Sequence, residues 1–64
     1  DTAASYNNIG LICYYLGKYD EALEYYEKAL KIFQSKLGSE HSYTKSVIEN
    51  ISLVKAMQKQ QSSD

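Results

Sequence analysis

Apolar side chains return every three or four residues along most of this chain, and the pattern is broken at Gly17 and again at Gly38. The breaks divide it into three predicted helices. In the first, over about 3–16, Tyr6, Ile9, Cys13 and Leu16 recur along one face, with Gly10 inside the run. Gly17-Lys18-Tyr19 then reads as a tight turn, glycine supplying the positive φ of a helix C-cap. The second helix, over about 20–37, has the clearest rhythm: Tyr19, Ala22, Leu23, Tyr26, Ala29, Leu30, Phe33 and Leu37. Asp20 suits its N-cap, Glu21 the positive end of its dipole and Lys36 the negative end. Glu24/Lys28 and Glu27/Lys31 are acid-first i, i+4 pairs, each contributing about 0.2–0.5 kcal/mol. Ser39 to Tyr43 form a polar connection in which Ser39 or Ser42 can cap a third helix, over about 44–58. Val47, Ile48, Ile51 and Val54 make its stripe, and the polar tail from Gln60 to Asp64 is expected to fray. Short connections pack consecutive helices antiparallel. The expected fold is all-α, an antiparallel helical hairpin plus a third helix, in one module spanning residues 1–64.

The third helix repeats the first. A shift of 42 residues lays Thr2 on Thr44, Asn8 on Asn50, Ile9 on Ile51 and Leu11 on Leu53, with Ile12 on the similar Val54. The chain therefore holds about one and a half helical-hairpin repeats. Its residues also resemble the tetratricopeptide signature of Trp, Leu-Gly, Tyr, Ala, Phe and Pro. Tyr6 stands at the Trp site, Ile9-Gly10 at the Leu-Gly pair, Cys13 at the Tyr site, Ala22 at the Ala and Tyr26 at the following aromatic. Gln34 stands at the closing Pro site, so the second helix runs a turn longer and the period lengthens to 42. That longer form is similar to the repeats of kinesin light chains, with Asn7-Asn8-Ile9-Gly10, Leu37-Gly38, His41 and Thr44 carrying the likeness.

The resemblance implies a fragment of a right-handed superhelix whose first helices line a concave binding face. Scaffold contacts follow: Gly10 faces Ala22 across the hairpin, while Tyr6, Tyr19, Tyr26 and Phe33 fill wider gaps. The family's groove positions fall on Ala4, Asn7, Asn8, Leu11, Tyr14 and Tyr15. Their counterparts in the third helix are Ser46, Glu49, Asn50, Leu53, Ala56 and Met57. Asn8 and Asn50 then hold the backbone of a bound peptide, since a carboxamide donates and accepts at once. A competing role for each is a bond to a neighbouring helix or water. Leu11, Tyr15, Leu53 and Met57 add an apolar strip, which would otherwise pack on a further helix of the array. No Lys or Arg stands among these positions, which argues against the grip on a terminal carboxylate that some members use.

Composition narrows the alternatives. The chain has 64 residues and a net charge of −1, with seven Lys spread along it, no Arg, one Cys and one His. Nucleic-acid binding is not expected, because phosphate recognition concentrates basic residues on one face. Cys13 and His41 give no ligand set for zinc and no intrachain disulfide; neither a metal nor another cofactor is expected. No apolar run approaches the roughly 18 residues that span a membrane, so neither a membrane span nor a signal peptide is expected. A lone thiol fits a reducing, cytoplasmic setting. Glu21, Glu24 and Glu27 read as a solvated face and Cys13 as a core thiol, so neither an enzyme nor a small-molecule site is expected. Tyr25 and Ile32, off the main stripe, are either a second contact surface or the scattered exposed apolar residues that any protein surface carries.

The expected function is a scaffold that binds a peptide or helix of a partner protein. The alternative is a self-associating module, a homodimer or higher: one and a half repeats leave Ile12, Tyr6 and neighbouring apolar groups for a second copy to cover, by stacking or by exchanging the third helix, which otherwise caps its own hairpin. A piece of a longer array is the third possibility.

Overall fold

The computed structural model describes residues 2–62, with side chains through residue 60, and within them the chain is three α-helices. α1 spans Ala3–Tyr15, and its N-cap is Thr2, whose hydroxyl accepts the Ser5 N–H at 3.2 Å. Its C-terminus closes as a Schellman turn: the Lys18 N–H donates to Cys13 O and the Gly17 N–H to Tyr14 O, at 2.8 and 3.1 Å. That turn requires the φ of +79° that Gly17 adopts.

α2, Tyr19–Leu37, begins directly out of this turn, with Lys18 as its N-cap. The expected cap at Asp20 is corrected. The Lys18 carbonyl already accepts the Ala22 N–H, so Asp20 lies inside the first turn, where its carboxylate accepts a hydrogen bond from Gln58 of the third helix. The expected Glu24/Lys28 pair also gives way. Lys28 sets its ammonium over the stacked Tyr6 and Tyr25 rings, 5.6 and 5.2 Å from their centroids, a contact worth about 0.5–1 kcal/mol at an exposed site.

α3 spans Ser42–Ser62, longer at both ends than the apolar stripe suggests. Its first turn is fastened by His41 rather than by Ser39 or Ser42: His41 Nδ1 accepts the Tyr43 N–H at 3.1 Å. Thr44 is fully buried and donates its hydroxyl to Gly38 O at 2.8 Å, tying the new helix to the end of α2. At the other end, helix-favouring Gln and Lys residues continue past Gln58. Residues 63 and 64 of the stretch expected to fray lie outside the described residues.

α2 is the central element, packed on α1 on one side and on α3 on the other. Its buried Ala22, Tyr26 and Ala29 form one core cluster with Ala3 of α1 and with Val47 and Val54 of α3, and Gly10 of α1 is buried against Tyr26. A Cβ at Gly10 would lie 2.8–3.1 Å from ring atoms of Tyr26, so glycine is what lets that ring seat on α1. The nearest atoms belong to Tyr26, not to Ala22 as expected. The expected stripe of α1 is also corrected, because Ile9 and Leu16 are exposed; so are Ile48 of α3 and Leu37 of α2. On α1, Ala3, Tyr6, Gly10 and Cys13 face α2, whereas Ile9, Ile12 and Leu16 lie on a different face.

Candidate functional site: a groove between α1 and α3

α1 and α3 lie side by side against α2. Phe33 shares a cavity with Asn8 and Val47, and Tyr26 shares one with Leu11 and Val54, so α2 runs opposite to both neighbours. This places the exposed flanks of α1 and α3 along a common groove with two recesses. The first, about 370 Å³, is lined by Ala4, Asn7 and Asn8 of α1, with Tyr43, Ser46 and Val47 of α3 and Phe33 beneath. The second, about 210 Å³, is lined by Leu11, Tyr14 and Tyr15 of α1, with Asn50, Leu53 and Val54 of α3 and Tyr26 beneath.

Between the recesses one side-chain hydrogen bond bridges the groove: Asn50 Nδ2 donates to Asn7 Oδ1 at 3.3 Å. Both carboxamides are half-buried. The bond engages one donor of Asn50 and one lone pair of Asn7. Each amide has two donors and two acceptor sites in total, which leaves capacity for a ligand. The amide partner of Asn50 is therefore Asn7, one position before the repeat-equivalent Asn8, which stands exposed at the rim of the first recess.

The aromatic groups give the groove its character. Tyr15 is 75% exposed at the mouth of the second recess, and its ring leans on Tyr14, which in turn leans on Tyr19. Tyr26 at the floor is fully buried; burial pushes its phenol above the ordinary value near 10, with Tyr15, Tyr14 and Cys13 adding to the shift. Tyr43 packs its ring against both Phe33 and His41, at 5.8 and 4.8 Å between centroids. No charged side chain among the described residues lines either recess.

The structure brings Asn7, Asn8, Leu11, Tyr15, Asn50 and Leu53 into one groove, and Ala4, Tyr14 and Ser46 with them. Met57, half-buried, and Ala56 line neither recess, nor does Glu49, which is exposed and shares a separate hollow with Ile48, Ser52 and Leu53. Tyr43, Phe33 and Val47 were not expected at the groove. The spacing of Tyr43, Ser46 and Asn50 on one helix face is the signal that finds Tyr43. Of the two self-association candidates, Ile12 is 57% exposed, whereas Tyr6 is half-buried and stacked on Tyr25. Among the described residues no helix is long and apolar enough to cross a membrane, and no cluster of three His, Cys, Asp or Glu groups forms.

Comparison with protein families matches residues 1–63 to the tetratricopeptide repeat. Comparisons with curated proteins and with solved structures gave no significant match. The helix–turn–helix hairpin, the repeated first helix and the family match over nearly the whole sequence converge: the chain belongs to the tetratricopeptide repeat family.

Proposed function

We propose that this chain binds a segment of a partner protein along the groove between α1 and α3. Tetratricopeptide repeats generally mediate protein–protein interaction and are typically non-enzymatic scaffolds. The observation that carries the reading is the Asn7–Asn50 amide bridge set between two uncharged, aromatic-walled recesses. Such an arrangement offers apolar burial on both sides of a hydrogen-bonding point. That combination suits a polypeptide segment better than a small polar metabolite. The 42-residue, kinesin-light-chain-like form is part of the same proposal, supported by the joint that Gly38, His41 and Thr44 build between α2 and α3.

The test is a peptide-display selection against the chain, followed by titration of the selected peptides against Asn8→Ala and Asn50→Ala. Loss of an uncharged hydrogen-bonding partner should weaken binding about tenfold at the half-buried Asn50 and less at the exposed Asn8, at an unchanged helical CD signal. Selected peptides that bind both variants as well as they bind the original chain would sink the reading.

Self-association is a second reading, favoured by the exposure of Ile12 and Leu16 on the outer side of α1, at 57% and 66%. Light scattering from micromolar to millimolar protein decides it. A dimer that Ile12→Glu dissociates supports self-association, and a monomer throughout the series removes it.

A further inference from the structure

The two recesses are copies of one another along the groove, displaced by seven residues on every helix that lines them. On α1, Ala4, Asn7 and Asn8 are answered by Leu11, Tyr14 and Tyr15. On α3, Tyr43, Ser46 and Val47 are answered by Asn50, Leu53 and Val54. α2 runs the other way, and Phe33 of the first recess is answered by Tyr26 of the second. Seven residues are two helical turns less about 20°, so each pair keeps the same face toward the groove. The displacement along the helix axes is about 10.5 Å.

Backbone geometries differ in whether they repeat at that interval. An extended strand returns side chains to one side about 6.7 or 13 Å apart. A polyproline II segment does so every 9.3 Å or so, with its backbone groups free. An α-helix presents the same face after seven residues and about 10.5 Å, which is the groove's own interval. Charge complementarity points to neutral contacts, since neither recess carries a charged side chain among the described residues. At the midpoint stands the Asn7–Asn50 pair. A helix has its backbone groups bonded internally, so those amides must be met by a side chain half-way between the two anchors.

We propose that the occupant of the groove is an α-helix of a partner protein lying along α1 and α3. It places uncharged apolar side chains at i and i+7 in the two recesses, and an amide or hydroxyl side chain at i+3 or i+4 against Asn7 and Asn50. This rests on the groove reading above and specifies its ligand. Leu53 and Leu11 wall the second anchor, Tyr43 and Phe33 the first.

The probes are lactam-bridged, Ala-rich helices of about 18 residues, long enough to hold helix in water with the bridge. One carries Leu at i and i+7 with Gln at i+3; in its control the second Leu moves to i+5. A third peptide is Pro-rich, with Leu at i and i+3. The i/i+7 helix is expected to bind at least about tenfold tighter than its control and to lose about tenfold on Asn50→Ala and on Leu53→Glu. Equal binding of the two helices, tighter binding of the Pro-rich peptide, or no binding of the i/i+7 helix at millimolar peptide would each overturn the proposal. The display selection separates this failure from failure of the groove reading. Selected peptides that depend on Asn50 but bind without helical structure, by transferred NOE, sink the helical ligand and leave the groove. Selected peptides indifferent to Asn8 and Asn50 sink the groove itself.

Discussion

Thr44, Val47, Ile51 and Val54 of α3 stand one 42-residue shift from Thr2, Ser5, Ile9 and Ile12 of α1. On α3 these positions are buried or half-buried, and α2 is the neighbour that covers them; on α1, all four are exposed. The reverse holds for the other face. Tyr6, Gly10 and Cys13 of α1 pack against α2, while their equivalents Ile48, Ser52 and Lys55 of α3 are exposed. A helix at this place in the repeat has two contact faces, one for the following helix of its own hairpin and one for the preceding hairpin. α1 displays the first contact and α3 the second. The difference between them lies in the neighbours, since the apolar character of Ile12 and Val54 is nearly the same.

The sharpest way to break that comparison is to place the same charge at both equivalent positions. Val54→Glu buries a carboxylate against α2 and should cost more than about 3 kcal/mol. A single core in a chain this short rarely supplies more than about 3–5 kcal/mol, so the variant should lose most of its helical CD signal at 25 °C. Ile12→Glu should change the urea midpoint of a monomer by no more than about 0.5 kcal/mol equivalent. A matched loss at both positions would mean that the outer face of α1 is covered in solution.

A smaller effect sharpens the second contact. Gly10→Ala sets a methyl group within 3 Å of the Tyr26 ring, which must shift to accept it. Despite the helix-propensity gain of alanine, the overpacking should leave a net destabilisation of about 1–3 kcal/mol. Ser52→Ala, at the equivalent exposed site of α3, should be neutral to slightly stabilising, within about 0.5 kcal/mol. Urea denaturation of the two variants side by side measures both. If Gly10→Ala proves as mild as Ser52→Ala, the close approach of Tyr26 is not what the glycine serves.

These two faces also explain what the sequence discloses. The helices and both glycine turns are legible because their signals are local: period, positive φ and turn chemistry. The internal repeat is legible because α1 and α3 keep the same faces. The stripe of α1 is misread because Ile9 and Leu16 belong to one face and Tyr6 and Cys13 to the other. Apolar periodicity cannot say which of two apolar faces finds a partner. Asp20 is misplaced as a cap for a related reason. Its partner Gln58 is 38 residues away, beyond any local pattern. The groove positions on α1 follow from the family resemblance. The Asn7–Asn50 bond depends instead on how far apart two helices sit, and α2 sets that distance through Tyr26 and Phe33.

Tyr26 supplies the smallest effect, and it bears on the same contact as Gly10. Its phenol is uncharged when protonated, and burial holds its folded-state value above the ordinary one near 10. The unfolded chain therefore ionises first as pH rises. The stability tied to the neutral buried phenol is fully present below about pH 10 and is lost as pH climbs through the folded value. The slope of the original chain alone does not isolate one group, so a variant that lacks the Tyr26 hydroxyl is measured beside it. Tyr26→Phe keeps the ring against Gly10 and removes the titrating hydroxyl. Urea midpoints measured between pH 8 and about pH 11 should fall more steeply for the original chain than for Tyr26→Phe. Parallel lines would mean that the phenol oxygen reaches solvent in the folded chain. The ring would then be seated less deeply between α1 and α3 than Gly10 permits.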